Sequence, residues 1–246
     1  MSSQFNLNQP MGIGIISLLV LIGSLFLVSV STAETTSTGS AVSGEQSIQL
    51  PEPDHDDAKS LDYALETRRS IRDFEDKALS QGDLSLLLWS GQGITNTTSG
   101  QRTAPSAMRK YPLTLYVAIS DVTAIDPGVY AYRPADHSMV KYLNESGKDT
   151  VLKALGQNQV LSAPLTIVAE ANYTCFQGTP MTEEEYSRFA ALEAGHVFQN
   201  MLLMETSRGM AGTPFTGFNV SSVENALKTS QDHHVLYAMT AGYPKK

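Results

Sequence analysis

Arg68, Arg69 and Arg72, with Ser70 among them, place three guanidinium groups and a hydroxyl within residues 68–72. A guanidinium is a planar fork of N–H donors that grips phosphate oxygens two at a time, and a phosphomonoester needs several such donors converging on it. The chemistry on offer is anion binding. A competing reading is that an Arg-Arg pair closing a helix-like stretch complements the negative end of the helix dipole from solvent. The five residues alone leave both open.

Other segments weigh on that choice. Residues 102–112 read Arg-Thr-Ala-Pro-Ser-Ala-Met-Arg-Lys-Tyr-Pro, and the chain ends Ala-Gly-Tyr-Pro-Lys-Lys at 241–246. Between them lie Gly128-Val129-Tyr130, the run Leu192-Glu193-Ala194-Gly195-His196-Val197-Phe198-Gln199-Asn200, and Thr213-Pro214-Phe215-Thr216-Gly217-Phe218. Taken together and in this order, over residues 61–246, they resemble the FMN-dependent nitroreductase superfamily.

The resemblance implies an α+β fold, a central and mostly antiparallel sheet flanked by helices, assembled as a homodimer around FMN. It implies that Arg68, Ser70 and Arg72, with Lys245 or Lys246 from the far end of the chain, hold the phosphate and ribityl tail, and that Arg69 sits nearer the pyrimidine edge. Pro105, Ser106 and Ala107 would contact the flavin from the neighbouring side of a dimer site. The segment containing Thr216 and Gly217 would turn a backbone N–H toward flavin N5, the atom that accepts hydride. The chain departs from the family pattern twice: Arg109 stands where many members have Asn, and Thr216 where many have Glu. Arg109 is left to reach flavin O2, to face the substrate, or to lie on the surface. Phe215 and Phe218 fit an ordinary core equally well.

The implied function is hydride or electron transfer through flavin N5 from a donor such as NAD(P)H or a quinol to a small organic acceptor, a nitro compound or quinone. Catalysis then belongs to the cofactor and no side-chain nucleophile is needed. Two alternatives stand beside it. One is an exported or anchored flavin-binding module with little turnover. The other is a SagB/ThcOx-type dehydrogenase, although residues 173–186 lack the lysine of that branch's Lys-Tyr pair.

Composition narrows the field. A net charge of −8 argues against nucleic acid, whose phosphates demand a positive surface. The single cysteine, Cys175, excludes an intrachain disulfide framework and any multi-cysteine metal site. Glu193 and His196, spaced i, i+3, make only half of a di-iron motif, so no metal is expected.

Residues 11–30 are uncharged and mostly apolar, about 30 Å of helix, enough to cross a hydrocarbon core. Ser31-Thr32-Ala33 suits a signal peptidase, yet no Lys or Arg precedes the run. Residues 1–33 therefore read as a signal peptide or a membrane anchor, 34–57 as a disordered tether, and 58–246 as the folded domain, exported or membrane-anchored. Four Asn-x-Ser/Thr sequons, at Asn96, Asn144, Asn172 and Asn219, weakly favour export.

The elements that must position these groups are legible from periodicity. Apolar spacing predicts helices over 58–67, over 81–89 after a Ser80 cap, over 151–160, and over 183–208, the last broken only by Gly195. Strands are predicted at 113–119, 165–169 and 234–242, with a hairpin of 129–133 and 139–143. The long helix, with Leu192, His196, Gln199 and Leu203 along one side, calls for a partner surface.

Overall fold

The computed structural model describes residues 47–56 and 58–245. The expectations for residues 1–33, for most of the tether and for Lys246 fall outside the described residues. No helix among the described residues is long and apolar enough to cross a membrane.

Leu113–Ile119 (β4) and Leu165–Asn172 (β7) form the centre of the sheet. Alternate residues point to opposite faces of a strand. Leu113, Leu115, Val117 and Ile119 enter one core with Leu165, Ile167, Ala169 and Ala171, while Tyr116, Ala118 and Val168 enter the other. A sheet buried on both faces needs helices on both, and it has them. Gln81–Gln92 (α2) and Glu183–Ser207 (α5) cover the first face, and Glu145–Leu155 (α3) and Val220–Leu227 (α6) the second.

With Ser47–Gln49 (β1), Gly128–Arg133 (β5), Ser138–Leu143 (β6), Ala211–Phe215 (β8) and His233–Gly242 (β9), the sheet runs β1-β6-β5-β4-β7-β9-β8, every pair antiparallel. Ile94–Asn96 (β2) and Gln101–Arg102 (β3) make a separate two-stranded ribbon. Leu61–Thr67 (α1) and the short Gln159–Ser162 (α4) complete the α-helices among the described residues. The α+β architecture and the antiparallel sheet are those expected.

Local signals explain most boundaries. Ser60, Ser80, Asn144, Thr182 and Asn219 each accept a backbone N–H as helix N-caps, and Thr182 with Glu185 forms a full capping box. The four sequons share this explanation. Asn144 and Asn219 cap helices, Asn172 accepts from Thr174 N–H, and Asn96 accepts from the N–H groups of Thr98 and Ser99. An Asn-x-Ser/Thr triplet is also turn and cap chemistry.

Three elements differ from expectation. The helix read over 151–160 starts earlier, at Glu145, and stops at Leu155 because Gly156 takes a left-handed conformation, φ 63°. Of residues 213–218, taken by resemblance as a loop, 213–215 instead end the edge strand β8 (Ala211–Phe215), since pairing with β9 overrides the weak propensity of Ala-Gly-Thr-Pro. The helix α6 went unread, though Asn219 as cap with Val223 and Leu227 one turn apart is a legible signal.

The tether is shorter than expected. Ser47–Gln49 pair with β6, and Leu50 is buried in the first core. Ser85 Oγ, itself buried, donates to the Pro51 carbonyl at 2.5 Å and meets His137 Nε2 at 2.7 Å, while Tyr132 OH meets His137 Nδ1 at 2.8 Å. This Ser-His pair has its hydroxyl proton committed to a carbonyl, and it fastens the incoming chain to α2.

The helix α5, about 37 Å long at 1.5 Å per residue, buries Ala190, Ala194, Val197, Phe198, Met201 and Leu202, together with Glu193 and Glu205. Leu192, Gly195, His196 and Gln199 lie exposed on its other side. That exposed side is the one predicted to want a partner.

Candidate functional site

After α1 the chain runs extended and is stitched along the outer edge of β8. Ser70 bridges Gly212 in parallel, Ile71 N–H donates to the Gly212 carbonyl at 3.1 Å, and Thr213 Oγ1 donates to the Ile71 carbonyl at 2.6 Å. The C-terminal segment lies along the same stretch. Glu75 N–H donates to Tyr243 and Lys245 N–H to Asp73, at 2.9 and 3.1 Å. Segments that are far apart in sequence, 68–72, 212–217 and 243–245, are thereby gathered at one edge of the sheet.

The arginines divide into two roles. Arg69 turns back on α1, its Nη1 donating to the carbonyls of Glu66 and Arg68 at 3.0 and 2.7 Å. It is the solvated helix-end residue that the competing reading describes. Arg68 is half-buried and Arg72 exposed, and among the described residues neither guanidinium has a hydrogen-bond or ion-pair partner. Ser70 and Lys245 are exposed beside them. Unengaged cations and a hydroxyl on one edge fit a phosphate-bearing ligand.

Arg72 and Asp73 face the Gly156–Gln159 turn and Ser162 across a polar hollow of about 390 Å³. Gln157 ties that hollow to the Thr216-Gly217 loop, Nε2 donating to the Gly217 carbonyl at 2.6 Å. A Cβ on Gly217 would meet only Gln157 Nε2, at an ordinary 3.6 Å. The chain's own packing does not require glycine there. Phe215 and Phe218 pack edge to face, 6.1 Å apart, against the second core. Both are half-buried at the margin of that core.

Gly212 has a different reason. A Cβ there would overlap the Thr240 carbonyl and lie 2.9 Å from both Glu205 carboxylate oxygens. Only glycine lets β8, β9 and the Glu205 carboxyl come this close.

The Pro105–Ala107 segment lies elsewhere. Asn200 Nδ2 donates to the Thr103 carbonyl at 3.3 Å, and Ser106 Oγ accepts the Tyr111 N–H at 2.8 Å. Met108, Arg109 and Tyr111 all have positive φ, near 50°, a conformation that costs roughly 1–2 kcal/mol per non-glycine residue. Arg109 is exposed and donates to the Ser99 carbonyl. Pro105, Ser106 and Ala107 face Phe189, Leu192, Glu193 and His196 around a largely apolar hollow of about 290 Å³.

These two groups do not meet within one chain. The first touches α5 near Glu205 and the second near Glu193, twelve residues apart on the helix, about 18 Å at 1.5 Å per residue.

Three buried carboxyls carry the electrostatics. Burial pushes Glu193 up to about 7, against the pull of the Ser106 hydroxyl and Arg102. Burial also raises Glu170, opposed by His233 Nδ1 at 2.8 Å. Glu205, fully buried with neither oxygen partnered among the described residues, is raised well above the usual carboxylate range by that burial. A carboxyl whose folded pKa lies above its unfolded value contributes fully below about pH 4.5, and its contribution is lost as pH rises through the folded value. Stability should therefore decline from pH 4.5 through 7 and beyond. Glu205→Leu is expected to raise urea-unfolding stability by about 1–3 kcal/mol, the relief of an unpaired buried polar group, and by more at pH 8 than at pH 5. An equal gain at both pH values would show Glu205 to be ionised and paired throughout.

Sequence reading missed Gln157, Glu205 and Gly212, and read Glu193 only as half of a metal motif. The helical period held the signal for the two acids. Glu205 follows Val197 and Met201 at steps of four, and Glu193 precedes Val197 by four, which places both on the buried side. No group of His, Cys, Asp and Glu suited to a metal occurs among the described residues.

The comparisons with known proteins agree with this geometry. Residues 65–243 match the model of the nitroreductase family. A Methanocaldococcus jannaschii protein described as a nitroreductase is 36% identical over 185 residues, 75% of this chain and 90% of that one. The crystal structure of a Ralstonia eutropha protein, also described as a nitroreductase, superposes with a TM-score of 0.72 at 28% identity, covering 82% of this chain and 91% of its own. The Vibrio harveyi NADPH:FMN oxidoreductase complexed with NAD+ shares the fold, with a TM-score of 0.55 at 19% identity, covering 76% and 69%. A family match across residues 65–243, with a relative 36% identical over most of its own length, shows that the chain belongs to the nitroreductase family of oxidoreductases.

Proposed function

We propose that the protein is an FMN-dependent oxidoreductase that passes hydride from a reduced donor, NAD(P)H or a quinol, to a small organic acceptor such as a nitro compound or quinone. The observation that carries this reading is the gathering of Arg68, Ser70, Arg72, Lys245 and the open Thr216-Gly217 backbone on one edge of the sheet. Arg68, Ser70, Arg72 and Lys245 would hold the phosphate and ribityl tail, and the 216–217 backbone the neighbourhood of N5. Bound there, the flavin supplies the redox chemistry, and the chain supplies orientation and charge.

A homodimer belongs to the same proposal. If Pro105, Ser106 and Ala107 also touch the cofactor, the roughly 18 Å along α5 means that a second copy provides them. The exposed Leu61, Leu65 and Leu192 are the apolar surface such a contact would cover. Residues 1–33, as signal or anchor, would place the enzyme outside the cytoplasm, where a quinol is the more accessible donor.

The test is to incubate the purified full chain with FMN, desalt it, and record its absorbance and its mass by light scattering. One flavin per chain, a dimer mass, and bleaching on addition of NADH or a quinol are the expected results. A colourless protein overturns the oxidoreductase reading. Retained flavin that no donor bleaches would favour a flavin-binding module.

A further inference from the structure

Lys245, the cation that the C-terminal segment brings to the anion site, stands near a chain end. The backbone there is held to residues 73–75 by a Phe74–Pro244 bridge, by Glu75 N–H donating to the Tyr243 carbonyl at 2.9 Å, and by Lys245 N–H donating to the Asp73 carbonyl at 3.1 Å. Pro244 has no N–H to add. Chain termini fray unless something ties them down, and the side chain available for that is Tyr243. Its hydroxyl donates to Asp83 Oδ2 at 2.7 Å, in the first turn of α2. Lys77 Nζ lies over its ring, 3.7 Å from the centroid.

Asp83 is itself fixed from other directions. Ser80 Oγ donates to the same carboxylate oxygen at 2.8 Å and accepts the Asp83 N–H at 3.0 Å. Arg208, the residue that ends α5, places Nε 3.7 Å from Asp83 Oδ1. The Arg208 Nη1 is buried with no hydrogen-bond partner among the described residues, so Asp83 is the acid that balances this guanidinium. Tyr243 therefore meets an acceptor that is charged and immobile, and a hydrogen bond to an ionised acceptor is about twice as strong as a neutral one.

We propose that Tyr243 is a positioning residue for the anion site: through Asp83 it pins the C-terminal segment to α2 and α5, so that Lys245 springs from a fixed backbone toward the phosphate of the ligand. A lysine on a loose chain end must be ordered when the anion arrives, and the lost freedom offsets part of the attraction. A lysine on a pinned segment has lost that backbone freedom on folding. The clamp thus adds affinity for the phosphate and none for the flavin ring, and it sets the preference of the site for a phosphorylated flavin over a phosphate-free one. Tyr243 also packs against the first core. A role confined to that packing would change the affinity of both ligands alike.

This inference rests on the FMN reading, and its test keeps the two apart. Dissociation constants for FMN and for riboflavin, which lacks the phosphate, are measured by flavin fluorescence on the full chain as wild type, Tyr243→Phe, Lys245→Ala and the double variant. The wild type should prefer FMN. Y243F keeps the ring and its packing and removes only the oxygen that reaches Asp83. It is expected to weaken FMN about fivefold, one hydrogen bond's worth, with riboflavin unchanged. K245A should weaken FMN about twentyfold, as loss of a charge-assisted contact does, and again spare riboflavin. The double variant should match K245A alone, because Tyr243 acts through Lys245 and their effects do not add. Asp83→Asn, which removes the charge at the other end of the bond, should repeat the FMN-only loss and replaces Y243F if that variant folds poorly. Equal losses for both ligands in Y243F, no loss for either, or losses that multiply in the double variant overturn the positioning role and leave the cofactor reading standing. A wild type that binds riboflavin as tightly as FMN, or binds neither, overturns the phosphate site and this inference with it.

Discussion

Replacing Arg68 and Arg72 together by alanine is expected to weaken FMN binding about a thousandfold while leaving the apo fold intact. A charge-assisted hydrogen bond contributes about 1.5–3 kcal/mol, so two such groups on a phosphate-bearing ligand together supply about 4 kcal/mol, or three decades of affinity. The fold should not notice, because neither guanidinium has a partner among the described residues. Arg69→Ala makes the contrasting case. Its guanidinium is occupied with the Glu66 and Arg68 carbonyls, so it should cost under about 1 kcal/mol of stability, as exposed neutral-acceptor bonds do, and less than tenfold in affinity. Fluorescence titration with FMN reads both. A loss below tenfold in the double variant would remove Arg68 and Arg72 from the phosphate role.

Gly212→Ala is expected to have the largest effect on the fold. Its added carbon would overlap the Thr240 backbone carbonyl and press on the Glu205 carboxyl, and backbone cannot rotate aside as a side chain can. Overpacking alone costs about 1–3 kcal/mol. Here β8 must also separate from β9 and take Ser70 and Ile71 with it, so a loss above about 3 kcal/mol is expected in urea unfolding. FMN affinity should fall in parallel, since the same stitch positions Arg68 and Arg72. A loss under about 1 kcal/mol would mean that the β8 edge can slide, and that the arginine segment is not held by it.

The sequence carried the parts whose periodicity is strong. β4 and β7 are buried on both faces and their β-forming apolar runs identify them, as alternation identifies β9 and a polar turn between two short runs identifies β5 and β6. α5 announced itself with some 26 residues of helical period and an ending before Gly209. What failed were elements specified by pairing rather than by pattern. β1 offers only Ile48 and Leu50 in a polar stretch, and β8 carries a proline and a glycine that propensity counts against a strand. The anion-binding chemistry of 68–72 was legible in residue types, but not its division of labour. That Arg69 caps α1 while Arg68 and Arg72 stay free depends on backbone direction at the helix end. Gln157 was hidden because Gly156 breaks what looked like a continuous helix. The burial of Glu193 and Glu205 was recoverable in principle from the phase of α5, yet an acid inside an apolar period is easily assigned to solvent.

The order of the sheet also has a mechanical meaning. The chain enters the described body through β1 at one edge, and the arginine segment is stitched to β8 at the other, with six strand spacings between them. At about 4.8 Å each, that is roughly 29 Å. A pull arriving through the N-terminus would load β1 in peeling mode, parting its few bonds to β6 one after another and then the clasp of Ser85, His137 and Tyr132. The strands beyond would act as a strain-relief stage. The grip on a ligand at β8 would outlast the loss of the first strand.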